Sequence, residues 1–218
     1  GSAVAELKQP FSVISGAVPA RAPGQTKRVT AEVQATVGAL LRPGDVFVTR
    51  HDDALSNLFL PGFWPHAALY IGSLEQRADL GMPLSSDKGS RLKLIRFLEA
   101  KKDGVLLRPM EETLMVDAFM VLRPRLTSEQ LAEALMRALS HEGKLYDFVF
   151  DFRKADRLAC TEVVYRSYHG IGPISFELRK HTGRPCISAE DLIEQALGSG
   201  CFEKIADFGV EENVVRVF

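Results

Sequence analysis

Cysteine is scarce in this chain: only Cys160, Cys186 and Cys201 occur in 218 residues. None forms a Cys-x-x-Cys word or stands at metal-ligand spacing from a histidine, and an odd count suits a disulfide framework poorly. A reducing compartment or a free functional thiol is the simpler reading. Long apolar runs are also missing; none approaches the roughly 20 residues that span a bilayer. The acidic pairs at 111–112 and 211–212 lack metal-ligand spacing with any histidine, and the chemistry of a functional thiol needs neither a metal nor another cofactor. Dense basic runs are missing too. Lys and Arg total 27 against 28 Asp and Glu, a formal net charge of -1. Such a surface offers no stripe for neutralising phosphates, which argues against a nucleic-acid partner. No internal repeat and no secretory leader is visible. Gly1-Ser2 reads as an expression scar without an initiator methionine, so a removed upstream segment stays open, as do a cytoplasmic or periplasmic location and the oligomeric state.

What remains suffices for one substantial core, with 46% hydrophobic residues. The expected organisation is an irregular Ala-, Pro- and Gly-rich lead-in over 1–24 and a single domain over 25–218. Apolar residues at helical spacing predict a short helix in "VTAEVQATVGALL". "RPGD" is a turn that launches a strand, "VFVTR". "HDDALSNLFLPGFWP" reads as a loop with an apolar centre, and "HAALYIG" as the second strand. A polar connection over 74–90 precedes strands in "RLKLIRFLEA", "VLLRPM" and "AFMVLRPR", the first two joined by a turn at Asp103-Gly104. The period then becomes helical. "TSEQLAEALMRALSHEG" carries an N-cap and apolar residues at four-residue spacing. A helix from Cys160 to His169 follows, then a Gly/Pro loop, a last helix in "SAEDLIEQALGSG" and a tail of strand character. Strands followed by helices indicate an α+β fold.

One strand begins oddly. "GFWPHAALYIG" opens on His66, directly after Trp64 and Pro65. Cys160 stands at a helix start, where the dipole and backbone N–H groups favour thiolate. Val163, Val164 and Ser167 lie three, four and seven residues on, so the cysteine heads the inward stripe of its helix. A histidine packed there would make a thiolate–imidazolium pair, the core of an acyl-transfer site. Taken alone, a buried cysteine or a histidine at a strand start is more often structural.

The ordered words "LRPGDVFVTR", "GFWPHAALYIG", "FLEA" and "YDFVFDFRKADRLACTEVVYRSY" resemble the circularly permuted papain-like cysteine hydrolases of the NlpC-type superfamily, whose wider membership includes the lecithin:retinol acyltransferase group. The resemblance is to a bacterial subgroup of permuted peptidases or amidases and runs from about Leu41 to Phe208. It implies that His precedes Cys, as His66 precedes Cys160. It implies a helix bearing the nucleophile, packed on a small, bent antiparallel sheet or barrel bearing the histidine. It also implies a third polar member on the next strand, at Glu99, which by itself would be a routine exposed acid beside a turn. Tyr146 matches a Tyr-Asp word upstream of the nucleophile and is a candidate cleft or oxyanion residue, or a core tyrosine. Trp64 is a candidate pocket wall. The implied activity is a cysteine hydrolase acting on a small peptide, amide or acyl substrate; a lipid acyltransferase with the same residues, or a binding module on the same scaffold, stays open. His51 reads as a solvated loop residue. His141, His169 and His181 sit near helix ends or in loops, where a cationic ring is favourable. Cys186 and Cys201 read as bystanders.

Overall fold

The computed structural model describes residues 25–52, 63–82, 95–181 and 183–218. The expected lead-in over 1–24, the apolar centre of the loop before Trp64 and the second half of the 74–90 connection lie outside them. In chain order, helix α1 (Ala31–Gly38) precedes strands β1 (Val46–Arg50) and β2 (His66–Tyr70), helix α2 (Leu74–Asp79), and strands β3 (Ile95–Lys101) and β4 (Gly104–Pro109). Then come α3 (Met110–Thr113), β5 (Ala118–Pro124) and α4 (Ser128–Leu139). Short strands β6 (Leu145–Tyr146) and β7 (Arg157–Leu158) lead to α5 (Cys160–Tyr168). A hairpin of β8 (Arg179–His181) and β9 (Arg184–Cys186), helix α6 (Ala189–Gly198), β10 (Phe202–Phe208) and β11 (Arg216–Val217) complete the order.

Seven strands form one antiparallel sheet in the order β11-β10-β5-β1-β2-β3-β4. It is open, so the barrel alternative does not apply. The pleat divides its side chains between two cores. Val46, Val48, Leu69 and Leu98 meet Leu135 of α4, Val163 and Val164 of α5, and Leu192 and Ile193 of α6. Phe47, Tyr70, Phe97, Phe119 and Phe208 face the other way, toward Val37 of α1 and Leu114 beyond α3. Phe47 meets Phe97 edge-on at 5.1 Å. Each such aliphatic or aromatic side chain contributes roughly 1.5–3 kcal/mol when fully buried.

Gly44-Asp45 in the first turn is a structural joint. Gly44 has φ +92°, and a Cβ there would lie 2.3 Å from Leu131 Cδ1. Its carbonyl accepts from Tyr168 Oη of α5 at 2.6 Å. The buried Asp45 carboxylate accepts from Arg123 Nε at 2.8 Å and from Arg123 Nη2 at 2.7 Å. The joint therefore ties the sheet to the helix that bears Cys160.

Three local structures differ from expectation. The polar connection contains α2, nucleated by a capping box in which Ser73 accepts from the Gln76 N–H at 3.1 Å and Gln76 from the Ser73 N–H at 2.9 Å. The connection after α5 contains the β8–β9 hairpin. β6 and β7 pair in parallel, Tyr146 opposite Leu158, two residues before Cys160. Each is too short for a periodic signal; the local capping box selects α2, and strand pairing selects the other two.

Candidate active site

The start of α5 is left open by its sequence. Thr30, Ser73, Thr127 and Ser188 cap α1, α2, α4 and α6, each accepting an N–H of its own helix. α5 has Ala159 in that place and no side-chain cap. Glu162 satisfies only the Ala159 N–H, at 3.3 Å. First-turn N–H groups have no acceptor within their helix. That of Thr161 is directed at the Cys160 sulfur, as is the Ala67 N–H of β2.

His66 is the first residue of β2, opposite Thr49. Alternation sets it on the face of Ala68 and Tyr70, and Glu99 on the same side with Phe97. Cys160 arrives with the core of the other face. At the strand start the ring stands at the sheet's rim, where it meets both partners. His66 Nε2 lies 2.8 Å from Glu99 Oε2, and the ring is hydrogen-bonded to the Cys160 thiol. With Nε2 engaged by Glu99, Nδ1 is the nitrogen left for sulfur.

Glu99 is not the exposed acid its neighbours suggested; its side chain has no solvent exposure. Its second oxygen, Oε1, accepts from Thr113 Oγ1 at 3.0 Å, pairs with Lys101 Nζ at 2.8 Å and lies 3.3 Å from Arg108 Nε. Lys101 was within reach of sequence reasoning, because residues two apart in a strand share a face. Thr113 and Arg108 carried no such signal.

Electrostatics follow from this arrangement. Burial alone would raise the Cys160 pKa, but the His66 charge and hydrogen bond, with the two backbone N–H groups, outweigh it and lower it. Burial would likewise lower His66, yet the Cys160 thiolate and then Glu99 carry it up to about 9. Burial opposes ionisation of Glu99 too, and the His66 and Lys101 contacts hold it at about 2. Each shift favours the charged form: thiolate at Cys160, imidazolium at His66 and carboxylate at Glu99.

The three residues stand together, with Cys160 and His66 lining a cleft of about 890 Å³. Trp64 and Tyr146 line it as well. Trp64 is buried, its backbone N–H donating to Glu190 Oε1 at 3.0 Å. Burial, then the Cys160 charge, pushes the Tyr146 phenol up, so it remains a neutral O–H donor. His51 also lines the cleft rather than standing in solvent. Burial and then the charges of Lys27 and His66 bring it down to about 4. Cys186 and His181, set aside from the sequence, belong to the same wall. Burial raises the Cys186 thiol, unlike that of Cys160. His181 Nε2 lies 2.6 Å from Asp191 Oδ2. His141, expected to favour the cation, is held at about 4 by burial and the charge of Lys144. His169 accepts the Phe176 N–H at Nδ1, at 3.1 Å.

Among solved structures, one described as metalloprotein YiiX from Escherichia coli is similar in fold. Its identity is 17% and its TM-score 0.56, over 76% of this chain and 96% of that one. Among the described residues no group of three or more His, Cys, Asp or Glu side chains is arranged to hold a metal ion, and no described helix is long and apolar enough to cross a membrane. No curated protein matches the chain. The family described as permuted papain-like amidase enzyme, YaeF/YiiX, matches residues 40–196, a span holding His66, Glu99 and Cys160. The chain belongs to this permuted papain-like amidase family.

Proposed function

We propose that this protein is a cysteine hydrolase that cleaves amide bonds of small peptides or related amides through an acyl-enzyme on Cys160. The observation that carries the reading is the contact chain from the Cys160 thiol through the His66 ring to the buried Glu99 carboxylate. The thiolate attacks the carbonyl carbon, a C–S bond forms, and the carbonyl pair moves to oxygen. The Cys160 N–H, at the open helix start, and the Tyr146 hydroxyl are the donors for that oxyanion. When the intermediate collapses, the C–N bond breaks and the His66 imidazolium gives its proton to the leaving amine. Water, deprotonated by neutral His66, then attacks the thioester and releases the acid and the thiolate. Glu99 orients the ring and stabilises its cationic form. No metal enters these steps.

Labelling at pH 6 with a small alkylating reagent, mapped by mass spectrometry, tests the nucleophile. Cys160 is expected to react before Cys186 and Cys201, because an ordinary thiol with pKa about 8.5 is protonated there. A binding module on the same scaffold predicts an unreactive Cys160. Trapping a thioester on Cys160 with an amide substrate at low pH tests the acyl-enzyme directly.

A further inference from the structure

In the segment Tyr146–Phe152, "YDFVFDF", two apolar side chains, Phe148 and Val149, are left in water while Phe152 is buried and the backbone is held by hydrogen bonds. Phe148 is 66% exposed and Val149 51%. Singly exposed apolar residues need no explanation, but these line the cleft that contains Cys160. They also line a second cavity of about 260 Å³, so the segment is a partition between two hollows. Tyr146 meets Phe148 edge-on at 4.9 Å and Phe150 at 6.4 Å. The buried Asp147 carboxylate accepts the Val149 N–H at 2.9 Å and the Asp151 N–H at 2.6 Å. Phe150 adopts φ +51°, the only positive value outside glycine among the described residues. Such a conformation costs about 1–3 kcal/mol and persists only where surroundings impose it.

Outside contacts fix the segment to the elements around the thiol. Arg184 Nη1 donates to the Val149 carbonyl at 2.9 Å. Arg166 Nη2 donates to the carbonyls of Phe152 at 2.9 Å and Lys154 at 2.7 Å, while its Nε binds Glu162 of the nucleophile helix at 2.7 Å. The β6–β7 pairing joins the base of the loop to Leu158.

We infer that residues 146–150 form a built apolar subsite that receives an aliphatic or aromatic substituent of the substrate next to the scissile amide. The inference rests on the thiol-amidase reading and narrows its substrate class. Folding alone would be served better by burying Phe148 and Val149. A preorganised wall at a reacting thiol is served by leaving them open until substrate arrives.

The test compares chloroacetamide with N-benzylchloroacetamide as alkylating agents, with the modified residue mapped and each rate normalised to that with free cysteine. In both, the Cys160 thiolate displaces chloride from the α-carbon, so the reagents differ only in the apolar substituent. The benzyl reagent is expected to react about tenfold faster or more at Cys160. The Phe148→Ser/Val149→Ser double variant is expected to lose most of that preference; the ratio cancels any change in thiolate population. Normal Cys160 labelling without a preference overturns the subsite alone, as does a preference that survives the double variant. A Cys160 that labels no faster than Cys186 overturns the nucleophile reading and the subsite with it.

Discussion

Glu99 holds His66 with one carboxylate oxygen and Lys101, Arg108 and Thr113 with the other. The acid is thus both the partner of the imidazole and the counter-charge for two cations. These roles separate by mutation.

Glu99→Gln preserves size and one hydrogen bond to the ring but removes the charge. Turnover should fall on the order of 10²–10⁴-fold, the usual span for a positioned acid–base function. Alkylation of Cys160 at pH 6 should slow with it, because a less stabilised imidazolium supports less thiolate. Glu99→Ala should also destabilise the fold by about 3–5 kcal/mol, as loss of one member of a buried ion pair does. Turnover, labelling and melting temperature measured on both variants check this. Wild-type turnover and labelling in both would remove Glu99 from the mechanism.

Turnover should trace a bell against pH. Its rising limb reports Cys160, lowered from the ordinary thiol value, and its falling limb lies near 9, where His66 loses its proton. The two groups interact, so both limbs belong to the pair. Alkylation should share the rising limb but not the fall, since thiolate persists at high pH. Labelling that begins only in the ordinary thiol range, with no alkaline loss of turnover, would contradict the ion pair.

Stability carries the same signs. His66 is raised, so its contribution is complete below 6.5 and disappears as pH climbs through about 9. Glu99 is lowered, so its contribution is present above 4.5 and is lost as pH falls through about 2. Cys160 is lowered, so its contribution is present above the ordinary thiol value and is lost as pH falls through its folded value, opposite in sign to that of His66. The two offset within the pair, and Glu99→Gln should flatten the acid arm of a melting-temperature series.

Arg166→Met should be more harmful at alkaline than at acidic pH. Its partner Glu162 has no solvent exposure, and burial raises it to about 7 despite the arginine. Above that pH the variant strands a buried carboxylate, a loss of about 3–5 kcal/mol. At pH 5.5 Glu162 takes up a proton and the loss shrinks. Urea denaturation at pH 5.5 and 8.5 distinguishes this from an equal loss at both, which would mean that Arg166 acts through the Phe152 and Lys154 carbonyls.

Asp45→Asn tests the other half of the family words. Asp45 is fully buried against Arg123 and distant in role from the thiol. A loss of about 3–5 kcal/mol is expected, with the pH dependence of Cys160 alkylation unchanged. A shifted labelling profile would show that the Gly44-Asp45 joint tunes the nucleophile.

Local sequence determined much of this protein. The helical period and N-cap of α4 are written in "TSEQLAEALMRAL", and the alternation of "HAALY" is that of a strand with two buried faces. Cys160 was legible because a helix start and an inward stripe are both short-range patterns; His66 and Glu99 were legible through ordered words. Tertiary structure alone decided the rest. Glu99 reads as solvated beside Lys101 and Lys102, and is buried because β3 pairs with β4 and α3 folds Thr113 over it. His51, His181 and Cys186 reach the cleft through chain reversals that leave no periodic trace. Phe148 and Val149 look like core, yet stay in water because Asp147 and Arg184 hold the Val149 backbone in place while Arg166 anchors the carbonyls of Phe152 and Lys154. In each case the deciding partner is distant in sequence or supplied by another element, so no window along the chain contains the cause.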